Sequence, residues 1–211
     1  MKNKKTSLRN RINVLVAVCF IPLLVIALYL IIMLYRFSER YDETVQNITT
    51  ANEYNLELKE QIDYTMYIIV VNSERAEELV DTDTPQQLIS QAKNDFKELY
   101  DLAGASYTKN NLQRILKSLQ SLENSVAEIK KDATITGNYD RNLERLDLDI
   151  RVQTELLQDQ IQEYIYHEAS DLEALREGIR KDVMTAIEMS LTIVLTILIS
   201  ALLLSQKISH N

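Results

Sequence analysis

Groups suited to metal binding or nucleophilic catalysis are scarce in this chain. Its 211 residues include only two histidines and one cysteine. Glu163 and Asp171 lie one helical turn to either side of His167, but no second histidine or cysteine is near enough in sequence to complete a metal site. We interpret His167 as a solvated residue at the edge of a helical domain. Because glycine-rich phosphate loops, nucleophile elbows and paired-histidine motifs are also missing from the sequence, we expect no catalytic residue, metal site or cofactor.

Aromatic and basic side chains suggest ligand binding instead. Tyr64 and Tyr67 lie in the stretch outside the charge-free runs that is densest in aromatic and apolar residues, and they could line a pocket near Arg75. Ordinary core packing is the alternative for both tyrosines. Arginines at the far end of the domain could bind an anion, although surface ion pairs are the commoner role in so charged a chain. They are Arg75, Arg114, Arg141, Arg145 and Arg151.

A polar stripe runs through the apolar end of the chain. Glu188, Thr192, Thr196 and Ser200 are spaced by four, which places them along one side of a helix. Hydroxyl and carboxyl groups in lipid prefer to face another helix, so this stripe could be a packing surface between transmembrane helices. The alternative is that the hydroxyls bond back to their own helix while Glu188 lies at the membrane surface.

Two charge-free runs, residues 12–35 and 189–204, are apolar on every side. The first is roughly 36 Å long at about 1.5 Å per residue, which exceeds the roughly 30 Å hydrocarbon layer of a bilayer. A cleaved signal peptide is the alternative for this run, but no small-residue cleavage site follows Tyr35. The second run continues an amphipathic helix into a sequence that suits only lipid or a deep core. We predict two transmembrane helices.

Charge is segregated along the chain. All 31 acidic residues lie between Glu39 and Glu188, although the formal net charge is only −8. Basic residues instead flank the apolar runs, within residues 1–11 and at Lys207. Because basic flanks mark the cytoplasmic side, we predict a multi-pass plasma-membrane protein with both termini in the cytoplasm and residues 36–188 outside. The acidic outer domain would repel nucleic acid.

Between the two runs, apolar residues recur at helical spacing in four segments. These are residues 37–80, 85–103, 108–131 and 141–188. The predicted apolar stripe of the first segment is Tyr41, Val45, Ile48, Leu56, Ile62, Met66, Ile69, Ala76 and Leu79, and that of the third is Leu112, Ile115, Leu119, Leu122, Val126 and Ile129. Thr84 followed by Pro85 is a helix-start signal, an N-cap and a first-turn proline. Only three glycines and two prolines occur in the whole chain, which argues against a sheet protein. The sequence predicts an all-α protein in which two transmembrane helices flank an antiparallel four-helix bundle.

The predicted helices differ in length, and this difference suggests a partner. The first and fourth are roughly 65–70 Å long, whereas the second and third are only about 30–35 Å. Nearer the membrane the long pair would stand as a two-helix stalk with apolar positions left uncovered. We predict a parallel homodimer in which two stalks close into a second four-helix arrangement. Long helices that break and fold back are the alternative.

The order of these segments resembles the sensory half of a bacterial transmembrane receptor. After the second apolar run, Ser205, Lys207, Ile208 and Ser209 match the polar-basic-Ile-Ser/Thr run that opens a HAMP domain. HAMP domains are the helical relays of sensor histidine kinases and chemoreceptors. The proline that follows in the family is missing here, and His210-Asn211 stands near its place. Residues 205–211 would then be the start of a truncated cytoplasmic relay.

The resemblance implies a receptor that senses an unidentified extracytoplasmic ligand or protein and signals through its second transmembrane helix. A histidine kinase core would lie beyond Asn211 and would act on a response regulator, so the residues present would not form an enzyme. A chemoreceptor front end is the near alternative. A coiled-coil membrane scaffold that transmits no signal is the alternative from a different class of protein.

Overall fold

The computed structural model describes the backbone of residues 8–133, 135 and 138–209, and the side chains of residues 20–133, 135 and 138–200. Helix accounts for 93% of the described residues, which contain no strand, so the predicted all-α class is confirmed. The helices are α1 (Leu8–Val71), α2 (Ala76–Leu79), α3 (Thr84–Leu102), α4 (Ser106–Ala133), α5 (Tyr139–Arg145), a π-helical turn (Leu146–Ile150) and α6 (Arg151–Ser209).

The chain divides into two compact units. Residues 43–171 form what we call the core unit, and residues 1–42 with 172–211 form the terminal unit. In the core unit, one apolar cluster takes residues from α1, α3, α4 and α6, with further members from the short elements between them. The apolar positions predicted for α4 are all fully buried. They are Leu112, Ile115, Leu119, Leu122, Val126 and Ile129.

Polar contacts at the edges of this cluster define which helices are neighbours. Lys59 on α1 pairs with Glu155 on α6 at 2.9 Å. Lys93 on α3 pairs with Glu123 on α4 at 2.7 Å. Arg114 on α4 reaches Glu163 on α6 at 3.2 Å, while further along α4 Glu128 bonds Arg145 at the end of α5. These pairs place α1 beside α6, α3 beside α4, and α4 beside both α5 and α6.

Helix α1 ends earlier than the sequence suggests. It stops at Val71 rather than near Val80, and the short helix α2 follows a turn in which the Arg75 amide donates to the Asn72 carbonyl at 2.8 Å. A run of β-branched residues, followed by Asn72 and Ser73, explains the stop, because both kinds of residue disfavour the helix interior.

Helix α3 begins close to the predicted point. Asp83 rather than Thr84 is the N-cap, since the Asp83 carbonyl accepts the first intrahelical bond from Gln87 at 3.0 Å. Pro85 lies in the first turn as expected. The Thr84–Pro85 signal therefore located the start of this helix to within one residue.

The π-helical turn at Leu146–Ile150 was not anticipated. Its cause is visible in the spacing of buried residues around it, because Asn142, Leu146, Ile150 and Thr154 are each separated by four. In a regular α-helix of 3.6 residues per turn, successive steps of four drift around the axis, whereas a π turn absorbs an extra residue and keeps the set on one face.

The described part of the terminal unit consists of two helical segments, one from α1 and one from α6. Residues 25–29 line a small cavity with residues 182–189, and residues 29–40 line a larger one with residues 174–182, so the segments run in opposite directions. Half-buried or buried positions on α6 recur every three or four residues and form what we call the seam. They are Val183, Ala186, Ser190, Ile193 and Ile197. Gly178 does not interrupt the helix.

Two helices, within residues 20–71 and 139–200, are long and apolar enough to cross a membrane by length and composition. Large apolar side chains remain exposed on the outside of the terminal unit. Examples are Leu24, Leu28, Ile31, Leu191, Leu195 and Leu198, each at least half exposed. Such a surface suits lipid better than water.

Candidate functional site

The most unusual side-chain cluster of the core unit lies where α1 meets α6 and consists of Asn47, Tyr164 and Glu168. We call it the α1–α6 polar contact. Glu168 is only 8% exposed, and the Asn47 amide Nδ2 donates to its Oε2 at 3.4 Å. Tyr164 is 1% exposed, and its hydroxyl has no hydrogen-bond partner among the described residues. A buried carboxylate and a buried hydroxyl therefore lie one helical turn apart on α6.

Electrostatics make this contact unfavourable for a negative charge. Burial raises the pKa of Glu168 above its ordinary value of 4.5, and the nearby carboxylates of Asp171 and Glu43 raise it further, against the opposing Asn47 hydrogen bond. Burial also raises the pKa of the Tyr164 hydroxyl, and Glu168 and Glu43 add to that effect. Among the described residues no basic side chain pairs with Glu168. An ionised Glu168 therefore works against the packing in which it is found.

His167 lies beside this contact, at the surface between α4 and α6. Its Nε2 is 2.6 Å from the Tyr107 hydroxyl, and the two rings meet edge to face with centroids 4.6 Å apart. Its neighbour Glu163 pairs with Arg114. No cluster of three potential ligands for a metal ion occurs among the described residues. His167 is half-buried at the edge of the helical unit.

The structure places the proposed ligand residues Tyr64, Tyr67 and Arg75 at the surface of the core unit. Tyr64 is 59% exposed and Tyr67 is 42% exposed, while Met66 between them is fully buried. Arg75 forms an exposed pair with Glu78 at 3.0 Å. The two tyrosines are thus available to a ligand rather than packed in the core, and a ligand pocket at these three residues stays a prediction.

The remaining arginines are engaged in ion pairs, as the alternative interpretation expected. Arg114 bonds Glu163, Arg141 bonds Asp132 and Arg151 bonds Asp147. Arg145 has three acidic neighbours: Glu128 at 2.6 Å, Asp149 at 3.3 Å and Asp132 at 3.5 Å. Each of these side chains therefore already has an acidic partner within the chain.

The polar stripe of α6 points away from the seam at its start and is exposed throughout. Thr192 donates to the Glu188 carbonyl at 2.9 Å, Thr196 to the Thr192 carbonyl at 2.8 Å, and Ser200 to the Thr196 carbonyl at 2.8 Å. The hydroxyls thus bond back to their own helix, which was the alternative interpretation. The side chains themselves are exposed in the single chain. A role of the stripe in packing against another chain stays a prediction.

Several predicted features fall outside the described side chains. Ser205, Lys207, Ile208 and Ser209 belong to the last turns of α6, but only their backbone is described. His210 and Asn211 lie outside the described residues, as do the lysines of the N-terminus. The HAMP-like start therefore stays a prediction.

Sequence reasoning missed the α1–α6 polar contact. Of the stripe predicted for α1, Ile62, Met66 and Ile69 are buried, whereas Tyr41, Val45 and Leu56 are exposed. The buried row instead runs through Ala51, Tyr54 and Leu58, and extrapolates back to Asn47. Spacings of three and four connect these positions, so the signal was present, but the polar residue type of Asn47 concealed the end of the row.

Two further, partly buried polar pairs join the core helices. The Tyr54 hydroxyl donates to Asp95 of α3, and the Thr154 hydroxyl donates to Asp63 at 2.9 Å. Burial raises the pKa of Asp63, and the Thr154 bond partly offsets that effect.

Comparison of the chain with known protein families, with curated proteins and with solved structures finds no match in any of the three.

Proposed function

We propose that this chain is the sensor region of a bacterial membrane receptor, of the kind that precedes a HAMP relay in two-component sensor histidine kinases. In this proposal residues 12–35 and 189–204 cross the membrane, and both termini are cytoplasmic. The core unit is an extracytoplasmic antiparallel four-helix bundle. A stimulus at the core unit alters α6, and α6 passes the change to residues 205–211 and to the output domain beyond them.

The observation that supports the proposal most is the extent of α6. One helix, Arg151–Ser209, contains the buried core residues Leu157, Ile161 and Tyr164 and also the whole charge-free run. Gly178, the weakest helix former in it, lies within regular helix. A continuous helix transmits a rotation or shift without a flexible joint.

The α1–α6 polar contact is the place where two packings could have similar free energies. The Glu168 carboxylate is buried without a basic partner among the described residues. One hydrogen bond, from the Asn47 side-chain amide, connects it to α1. A ligand or protein that stabilises an arrangement in which Glu168 is hydrated would shift the population toward that arrangement. Only a difference in affinity for the two packings is needed, so direct contact between ligand and Glu168 is not required.

A second copy of the chain completes the proposed receptor. The stripe of Glu188, Thr192, Thr196 and Ser200 is exposed in the single chain and starts, at Glu188, on the side of α6 away from the seam. Two parallel copies would cover these polar groups against each other, and small hydroxyl side chains allow close approach of helices in lipid. The same helix would then be both the dimer axis and the relay.

A chemoreceptor front end remains an alternative within the same class, and the type of output domain after Asn211 would distinguish the two receptors. A membrane scaffold that transmits nothing is the second candidate, and the exposed apolar surface of the terminal unit favours it equally. The scaffold and the receptor differ in one respect: only the receptor couples the core unit to the transmembrane part of α6.

The experiment that tests coupling uses the full chain in membranes, with Cys19→Ser and a single cysteine at Thr192 or Ser200. Disulfide-linked dimers are measured with and without Glu168→Gln, which removes the buried charge. A receptor should change the relative crosslinking of the two positions, because Glu168→Gln alters the α1–α6 packing. Arg75→Gln, at an exposed pair of the same unit, is the matched control and should change nothing. Identical crosslinking in all three proteins would contradict the receptor and favour the scaffold.

A further inference from the structure

The terminal unit contains a large open groove between its two helical segments. Its volume is about 790 Å³, and it is formed by residues 29–40 of α1 and residues 174–182 of α6. Tyr29, Ile32 and Leu175 make one part of its wall apolar. The volume lies within the range of small-molecule sites in proteins, roughly 300–1,000 Å³. The groove is therefore large enough for a substantial part of one amphiphilic molecule.

Charged side chains of both signs line the other part of the groove. Arg36 and Arg40, one helical turn apart, contribute two guanidinium groups, and Glu39 and Asp182 contribute two carboxylates. Arg36 makes no ion pair within the described residues and is exposed. In sequence, these charges begin directly after the charge-free run of residues 12–35. The groove thus joins an apolar surface to a site with both positive and negative charge.

Gly178 forms part of the wall and keeps this space open. A β-carbon added at this position would have no heavy atom within 4 Å, so the backbone here borders empty space rather than a neighbouring side chain. A β-carbon at residue 178 would therefore be added without a clash. Glycine in a helix interior is unfavourable relative to alanine, and its presence here is not required by close helix packing.

We propose that this groove binds one zwitterionic phospholipid with a primary ammonium headgroup, of the phosphatidylethanolamine class. The inference rests on the proposed function, because it requires that the chain span a bilayer. The phosphate would bind the guanidinium of Arg36, and the ammonium would donate to the carboxylates of Glu39 or Asp182. An acyl chain would lie against the apolar wall.

The headgroup, rather than the acyl chain, gives this site its selectivity. Lipid around the protein is as apolar as the wall, so burial of the acyl chain distinguishes one lipid from another only weakly. An anionic phosphatidylglycerol headgroup has no cation for the two carboxylates. A phosphatidylcholine headgroup has a cation but no N–H donor. Of the three headgroups, only ethanolamine provides a phosphate for the arginine together with a cationic N–H donor for the acids.

The test measures which lipids stay with the protein. The full chain is reconstituted in vesicles of equal parts phosphatidylethanolamine, phosphatidylglycerol and phosphatidylcholine and extracted in mild detergent, and the retained lipids are quantified by mass spectrometry. We expect phosphatidylethanolamine to be enriched about tenfold, the lower end of the range that one additional hydrogen bond to a charged group gives. Retained lipids that match the vesicle composition, or an enrichment of phosphatidylglycerol, would overturn the proposal.

Variants at residue 178 separate occupancy of the groove from folding. Gly178→Phe fills the groove and should abolish the enrichment, whereas Gly178→Ala adds one methyl group and should retain it. Both substitutions favour the helix over glycine, so a loss seen only with phenylalanine cannot come from a weakened helix. Arg36→Gln should also reduce the enrichment. Enrichment that persists in Gly178→Phe would refute the groove as its site.

Failure of this inference and failure of the proposed function give different results. If alkaline carbonate releases the chain from the vesicles, the chain does not span the bilayer, and the proposed function fails together with the lipid site. If the chain resists carbonate but shows no lipid preference, only the lipid site is wrong.

Discussion

Replacing Tyr164 by phenylalanine should stabilise the protein, which is unusual for a change in a core. The Tyr164 side chain is 1% exposed, and its hydroxyl oxygen has no hydrogen-bond partner among the described residues. Folding therefore removes this hydroxyl from water without replacing the bonds it loses. Phenylalanine keeps the ring and its packing but has no polar group to desolvate.

The expected size of the effect comes from the cost of an unsatisfied buried group, about 1–3 kcal/mol. We take the lower end, about 1 kcal/mol, because a hydroxyl can rotate toward the neighbouring Glu168 carboxylate. For a chain of this size a gain of about 1 kcal/mol corresponds to a rise in Tm of about 2–4 °C.

Tyr54→Phe is the matched control, because it makes the same chemical change at another buried tyrosine. Tyr54 is 3% exposed, but its hydroxyl donates to the carboxylate of Asp95. Loss of a hydrogen bond to a charged group costs about 1.5–3 kcal/mol, so this variant should melt at a lower temperature. The two substitutions should thus shift Tm in opposite directions.

Both variants are compared with the wild-type full chain in the same detergent by thermal unfolding, monitored by far-UV circular dichroism. A lower Tm for Tyr164→Phe would contradict an unsatisfied hydroxyl at Tyr164. It would mean that the hydroxyl has a partner in solution, either a buried water or Glu168 itself. Repeating the measurement with Glu168→Gln and with the double variant would tell these two partners apart, because only coupling to Glu168 makes the effects non-additive.

Two further predictions concern charged groups of the core unit. The pKa of Glu168 is raised in the folded state, so its ionised form lowers the stability of the protein above that pKa, and this loss disappears as pH falls toward 4.5. Glu168→Gln should therefore raise Tm at neutral pH and have little effect on Tm at acid pH. A rise in Tm that is independent of pH would contradict this cause. Arg145 bonds three carboxylates from a side chain that is 23% exposed, so Arg145→Ala should lower stability by about 1–2 kcal/mol, whereas Arg75→Ala, at a single exposed pair, should change it by less than about 0.5 kcal/mol. Urea unfolding measures the free energy of unfolding of the two arginine variants. Equal losses of stability in the two would show that the Arg145 network adds nothing beyond a surface pair.

The helical class and most of the core were predictable from sequence because apolar periodicity determined them. In α4 every predicted inward residue is buried, since its apolar positions alternate by three and four without interruption. The Thr84–Pro85 signal placed α3 equally well. These segments have strong local signals that agree with the packing.

Elsewhere local signals and packing disagreed. On α1 the apolar residues Tyr41, Val45 and Leu56 look like a core stripe, yet the polar Asn47 is one of the residues that face α6. Residue type alone could not show this, because the partner residue Glu168 lies 121 positions away in sequence. The π turn was missed for a similar reason, because it depends on which face the tertiary structure buries.

The candidate site was less predictable than the fold. The sequence singled out Tyr64 and Tyr67 for their residue types, and the structure leaves them exposed on the surface. The stripe at Thr192 and Thr196 was predicted from spacing alone, and its hydroxyls do bond the helix backbone. Whether a second chain also covers them depends on an assembly that periodicity within one chain does not specify.

A parallel dimer built around α6 can be detected by a cysteine scan of residues 179–200 in membranes, in a Cys19→Ser background. We expect disulfide-linked dimers to form with a period of about 3.5 residues. The yield should be highest at exposed stripe positions and lowest on the seam, which α1 already covers. The expected maxima are Glu188, Thr192 and Thr196, and the expected minima are Ala186, Ser190, Ile193 and Ile197. A flat profile, or maxima on the seam, would contradict a parallel dimer built around α6.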